Sequence, residues 1–224
     1  MAPPELSRTD RSTVHRLTDR ASYERAAAHA ILDEGIVAHV GIAVDGQPYV
    51  IPMVYGRDAD RLLLHGSVAS RLLRRLDDGL RVCVTVTLLD GLVFARSAFH
   101  HSANYRSVVV LGEARRLTDP DEAARALDVI VDHVAPGRAA EARPPSALEL
   151  RQTSVLELPI DEASVKSRSG DPKDEAEDMT LPIWAGVLPL ASTAGAPTAA
   201  ADLETALDVS PSVRDWRRPG SRPS

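Results

Sequence analysis

The sequence predicts a mainly β protein, an antiparallel barrel or sandwich with peripheral helices. Three observations lead there. Short apolar runs rich in Val, Leu and Thr recur at strand length, about six or seven in all. Turn dipeptides such as Asp45-Gly46 separate them, the chemistry of hairpins. The runs do not alternate regularly with helical segments, which sets a doubly wound parallel sheet aside.

Residues 1–20 are polar and read as an extended arm, followed by one domain over 21–190. Ser22 is placed to cap a helix through "YERAAAHAILDEG", with Ala26, Ala30 and Ile31 on one face and Gly35 as its stop. "IVAHVGIAV" and "QPYVIPMVYG" form the first hairpin; Pro48 and Pro52 mark an edge, an end or a bulge. "LLLHGS" is the next strand, and "SRLLRRLDDG" has helical spacing through Leu72, Leu73 and Leu76. "LRVCVTVTLLDGLVFA" reads as two strands turning at Asp90-Gly91. "YRSVVVLGEARRLT" is a further strand. Asp119-Pro120 opens an amphipathic helix to about residue 134, and "PGRAAEARPPSALELRQ" a second helical region broken by proline. "TSVLELPIDEASVKSR" alternates as a late strand. Residues 191–224, rich in Ala, Pro and then Arg, read as a mobile tail with Trp216 peripheral.

Composition removes several functions. A net charge of −6, from 26 basic and 32 acidic residues, lacks the basic footprint of a nucleic-acid binder. The lysines are Lys166 and Lys173, both in a polar stretch, which argues against Schiff-base catalysis. With Cys83 alone there is no intrachain disulfide and no cysteine metal cluster. No apolar run approaches the length needed to cross a bilayer, and the N-terminus lacks a signal-peptide core, so the expectation is a soluble, cytoplasmic protein. Neither a dinucleotide-binding glycine motif nor a P-loop is present.

Four stretches carry candidate chemistry. In "HGSVASRLL" a strand ends and a helix begins. Ser67, Ser70 and Arg71 are the donors an anionic phosphate needs, and Gly66 permits close backbone approach. An ordinary serine cap beside a solvated arginine is the competing reading. In "HHSANYR" the adjacent His100 and His101 fall on opposite sides of an extended chain, which argues against a shared metal. There Asn104, Arg106 and Ser107 either line a pocket or form a polar strand entry. Trp184, between two prolines, suits stacking on a ring or anchoring a core or dimer. The acidic run "GDPKDEAED" reads as a solvated loop, and no residues are assigned to a metal.

Taken together, "YVIPMVYG…LLLHGSVASRLLRRL…VCVTVTLLDGLVFARSAFHHSANYRSVVVLGEARRL" resembles the pyridoxamine 5′-phosphate oxidase-like FMN-binding proteins, and within them the flavin-nucleotide-binding, nitroimidazole-resistance-like branch. The downstream "EASVKSRSGDPKDEAEDMTLPIWAGVLPL" is similar to that branch too, so the likeness spans about residues 14–190. It implies a six-stranded antiparallel split β-barrel that forms a homodimer with FMN in two interface clefts. It implies that Pro52, Met53 and Val54 lie against the flavin ring, with His65 and Gly66 close by. Ser67, Ser70 and Arg71 would hold the phosphate. Asn104, Arg106 and Ser107 would sit beside ring or phosphate, and Trp184 would reach in from the partner subunit. Two departures stand out: Leu72 replaces the basic residue that follows the matching Ser-Arg pair in the oxidase proper, and the C-terminal substrate-binding Arg and His have no counterpart.

The resulting expectation is an oxidoreductase acting on a small planar molecule, with His100 or His101 as proton donor. The alternatives are a non-catalytic flavin carrier or sensor, and a split barrel holding haem or a deazaflavin. A haem would require an axial ligand such as His65, His100 or His101.

Overall fold

The computed structural model describes residues 4–70, 73, 79, 81–203 and 207–218. One sheet of ten strands dominates, ordered β1-β9-β6-β5-β2-β3-β4-β8-β7, with β10 added to β5. In chain order the strands are β1 (Ala21–Ser22), β2 (Val37–Val44), β3 (Gln47–Asp58), β4 (Arg61–Ser67), β5 (Arg81–Phe94), β6 (Ser102–Glu113), β7 (Arg115–Arg116), β8 (Thr153–Pro159), β9 (Glu162–Arg168) and β10 (Gly186–Pro189). Every ladder is antiparallel. The count exceeds the six or seven expected because β1, β7 and β10 are short and the late strand divides into β8 and β9.

Period-two alternation explains the barrel. Val82, Val84, Val86 and Leu88 of β5 are buried, as are Val108 and Val110 of β6, and Val84 pairs with Val110. The inward residues of β2, β4, β8 and β9 join them in one core. Helix α1 (Arg25–Glu34) closes the barrel with Ala28, Ile31 and Leu32. Its N-cap is Glu24 rather than Ser22, which lies in β1. Helix α2 (Pro120–Val134) covers the outside of β4 and β8, burying Ala126 and Ile130 against Leu63, Leu117 and Val155. Asp119 caps it by accepting from the Asp121 N–H. A Cβ at Gly56 would stand 3.0 Å from the Ile130 Cα, so a glycine is what lets α2 approach β3. The short helices α3 (Arg138–Glu141), α4 (Ala147–Gln152) and α5 (Pro211–Arg214) follow.

Asp90-Gly91 is not a turn. Strand β5 runs straight through it, with a bulge between Leu89 and Gly91. A Cβ at Gly91 would meet the Leu188 carbonyl of β10 at 3.0 Å, so this glycine serves close approach of strands. The expected helix at residues 70–79 lies mostly outside the described residues; Leu73 within it is helical and buried. Leu6 of the N-terminal arm is buried in the core, and the Ser7 N–H donates to the Asp161 carbonyl.

At the other terminus the structure anchors what reads as a mobile tail. The Trp216 indole N–H donates to the Val134 carbonyl at 2.7 Å, and Arg218 donates to the Glu34 carbonyl. The end of α1 is thereby well served. Tyr55 donates to the Leu32 carbonyl, His133 bonds the Gly35 carbonyl, and Arg57 grips the Asp33 carboxylate. Burial holds the His133 pKa below its ordinary value. Among the described residues, no helix is long and apolar enough to cross a membrane.

Candidate functional site

Apart from the β6 residues, the predicted site residues fall into two groups. The first gathers where β3 passes from β2 to β4. Residues 47–54 of β3 pair only with β2, while Tyr55–Asp58 pair with β4. The opposite edge of residues 47–54 is therefore free of sheet partners, which accommodates Pro48 and Pro52. Pro52 is exposed, Val54 is 38% exposed, and Met53 turns inward against the core. His65 follows Leu64, the partner of Tyr55, so it stands one residue beyond the end of the β3–β4 ladder and pairs with Val155 of β8. The Nδ1 of His65 is buried without a hydrogen-bond partner, and burial lowers its pKa from the ordinary value.

Ser67 ends β4 opposite Thr153. The turn after it uses its own backbone donors: Val68 N–H goes to the Gln152 carbonyl, Ala69 N–H to the Ser67 hydroxyl and Ser70 N–H to the Ser67 carbonyl. What remains for an anion is the proton of the Ser67 hydroxyl and the Ser70 hydroxyl, which has no partner among the described residues. Among the described residues the turn thus offers side-chain donors rather than free amides. Arg71 lies outside the described residues. The space beside Gly66 belongs to Leu73, whose Cδ1 would lie 2.4 Å from an added Cβ, so packing alone requires this glycine. These features fit the phosphate end of a flavin: two hydroxyls, an orphaned imidazole nitrogen and an apolar strand for the ring.

Strand β6 contributes less than its sequence implies. Arg106 donates to both oxygens of Glu34 at 2.6 and 3.0 Å and to both of Asp90 at 2.7 and 3.0 Å. These contacts hold its pKa above the ordinary arginine value. Asn104, 8% exposed, bonds the Arg168 guanidinium and the Gly170 carbonyl. The Ser107 hydroxyl donates to the Lys166 carbonyl at 3.1 Å. The polar groups of Asn104, Arg106 and Ser107 are thus engaged within the fold. Replacing Arg106 by Ala leaves two facing carboxylates, a loss of about 2 kcal/mol for a partly exposed pair of ion pairs. Urea unfolding will show that loss; a flavin affinity that falls with stability unchanged would instead make Arg106 a ligand-binding residue.

The second group stands at the far end of β5. His100 closes a 3₁₀ turn (Ala98–His100), so the two histidines do not sit on an extended strand; β6 begins only at Ser102. Their rings still separate. His100 Nε2 lies 3.6 Å from the Glu175 carboxylate, and its ring meets Phe99 edge-on. His101 Nδ1 lies 3.0 Å from the Ser97 carbonyl, and its ring meets Phe94 edge-on at 5.8 Å. Trp184, 69% exposed, reaches Phe94 at 6.1 Å between ring centres. Sequence reasoning overlooked Phe94 and Phe99, although both phenylalanines of the chain fall within "FARSAF". Arg96 fixes this segment through the Asp174 carboxylate, whose side chain is 1% exposed.

The family model described as pyridoxamine 5′-phosphate oxidase matches residues 24–167. No curated protein matches the chain. Among solved structures, the flavocytochrome Anf3 from Azotobacter vinelandii is 39% identical, with a TM-score of 0.87, covering 93% of this chain and 97% of its own. The FAD and heme binding protein from Mycobacterium smegmatis is 38% identical, with a TM-score of 0.86, covering 91% of this chain and 100% of its own. A putative 5-nitroimidazole antibiotic resistance protein from Bacteroides thetaiotaomicron is 25% identical, with a TM-score of 0.55, covering 65% of this chain and 85% of its own. A mainly antiparallel barrel with α1 across its mouth, matched by that model over most of its core strands, places this chain in the pyridoxamine 5′-phosphate oxidase family of flavin-binding split barrels.

Proposed function

We propose that the chain is a redox protein that binds a flavin and a haem and works as a homodimer. The observation that carries the flavin is the β3–β4 junction, where an exposed apolar strand ends beside His65 Nδ1 and the Ser67 and Ser70 hydroxyls. Support for the haem comes from the two similar structures, a flavocytochrome and an FAD and heme binding protein, each likened over more than nine-tenths of this chain. When bound, a flavin exchanges electrons in pairs or singly and a haem singly, so the two together suit one-electron traffic with a small partner. The chain's own residues would hold the phosphate, seat the ring and set its access to water.

FMN is what the resemblance implies, but FAD fits this chain better. A cavity of about 490 Å³ between β8, α2 and α4 is lined by Thr153, the cross-strand partner of Ser67, and by Arg151. It offers room and charge for a second phosphate and an adenosine beyond the serines. Acid release and chromatography of the bound flavin is expected to yield FAD; FMN alone would overturn that choice. The Ser67→Ala, Ser70→Ala double variant is expected to weaken flavin binding about 10- to 100-fold, since hydrogen bonds to a charged phosphate are the strong ones. Both hydroxyls are near the surface, so the thermal midpoint should hold. An unchanged flavin affinity would remove the β4 turn from the site.

A further inference from the structure

We infer that His101 is the axial ligand of the haem, with Phe94, Phe99 and Trp184 forming the wall against which the porphyrin lies. The inference rests on the haem part of the reading above, and it selects one side chain from the seven histidines of the chain. An iron-binding imidazole needs one nitrogen free, the other held by an acceptor that fixes tautomer and orientation, and apolar surroundings. His101 is described by all three conditions. Its Nδ1 faces the Ser97 carbonyl at 3.0 Å; an N–H there leaves the Nε2 lone pair to point away. The ring is braced edge-on by Phe94.

The other six histidines fail a condition. His29 Nε2 lies 3.2 Å from the Asp60 carboxylate, in a charged group with Arg25 and Arg57. His133 spends Nε2 on the Gly35 carbonyl and packs on Tyr55. No hydrogen bond among the described residues holds the ring of His15 or of His39. His100 turns Nε2 toward Glu175. His65 has no acceptor to hold Nδ1, and it belongs to the flavin group.

The surroundings of His101 have no explanation inside the protomer. Phe99 is 88% exposed and Trp184 69%, an apolar surface that a lone soluble chain rarely presents. Yet the turn that carries Phe99 is firmly held. The Ser97 hydroxyl accepts from the Phe99 N–H, and Asp174 fixes Arg96 through both its N–H and its guanidinium. An exposed phenylalanine on a braced turn, with Trp184 reaching Phe94 and an imidazole held by a backbone acceptor beside them, is a preorganised seat for a flat apolar ring carrying a metal.

The test is haemin titration of the purified full-length protein, followed through the Soret band, with flavin content read in the same samples. His101→Ala is expected to weaken haem binding by more than about 100-fold, beyond what outer partners alone are worth. Free imidazole should restore the wild-type band, and flavin content should stay unchanged. His65→Ala and His100→Ala are expected to keep the wild-type Soret band, and Phe99→Ala to keep its position while weakening binding. A His101→Ala protein with wild-type band and affinity overturns the assignment and leaves the haem reading standing. A wild-type protein that takes up no haem overturns both, while its flavin content still reports on the β3–β4 site.

Discussion

Replacing Tyr55 by Ala is expected to destabilise the fold by about 4 kcal/mol, within the range for removing a large buried ring. Tyr55 is fully buried and is the largest such side chain in the core. It ties three elements together. It stands on β3, donates its hydroxyl to the Leu32 carbonyl of α1 at 2.6 Å, and packs in a tilted ring pair with His133 of α2, 4.7 Å between centres. Gly35 marks how closely they meet, since a Cβ there would fall 2.7 Å from the Tyr55 hydroxyl. Tyr55→Phe separates the ring from the hydrogen bond and should cost about 1–3 kcal/mol, because the Leu32 carbonyl is left buried and unpaired. Urea midpoints of the two variants measure both parts. Tyr55 directly follows Pro52, Met53 and Val54, so a loosened anchor should also lower flavin occupancy. A neutral Tyr55→Phe would show that the hydroxyl is not what pins α1.

In the proposed homodimer, Val50→Arg is expected to convert dimers to monomers. Val50 is 65% exposed, Tyr49 47%, and Ile51 and Val54 38% each, all on the half of β3 that pairs with β2 alone. Long exposed strands of this kind are aggregation hazards that monomers avoid, and here Pro48 and Pro52 interrupt the free edge. A second copy packed on the ribbon would bury it, as the dimer reading requires. An unpaired guanidinium forced into that contact costs several kcal/mol, or more than about 100-fold in dimer affinity. Sedimentation at several concentrations is expected to show a wild-type dimer and a Val50→Arg monomer that has lost flavin. A wild-type monomer would end the dimer reading, and a Val50→Arg dimer would move the interface elsewhere.

The strands were legible because burial repeats every second residue, as in "RVCVTVTLL". Asp45-Gly46 was legible as a hairpin because both residues must adopt positive φ, and they do, at 52° and 80°. The same dipeptide at 90–91 misled, because Gly91 is required by β10 arriving nearly a hundred residues later in the chain. Long-range ion pairs were equally hidden. The motif around Arg106 looks like a pocket wall, but Glu34 lies 72 positions away, and only the fold reveals that it and Asp90 claim the guanidinium. Trp216 looked peripheral because its acceptor, the Val134 carbonyl, is 82 positions distant. At the candidate site the sequence singled out polar groups at the end of β4. It could not separate those left free, His65 and Ser70, from those the backbone consumes.

The absorption spectrum of the purified protein, before and after dithionite, tests the central claim most directly. A flavin- and haem-binding barrel predicts flavin bands that bleach and a Soret band that shifts on reduction. A colourless protein that neither added flavin nor added haemin can colour would contradict it.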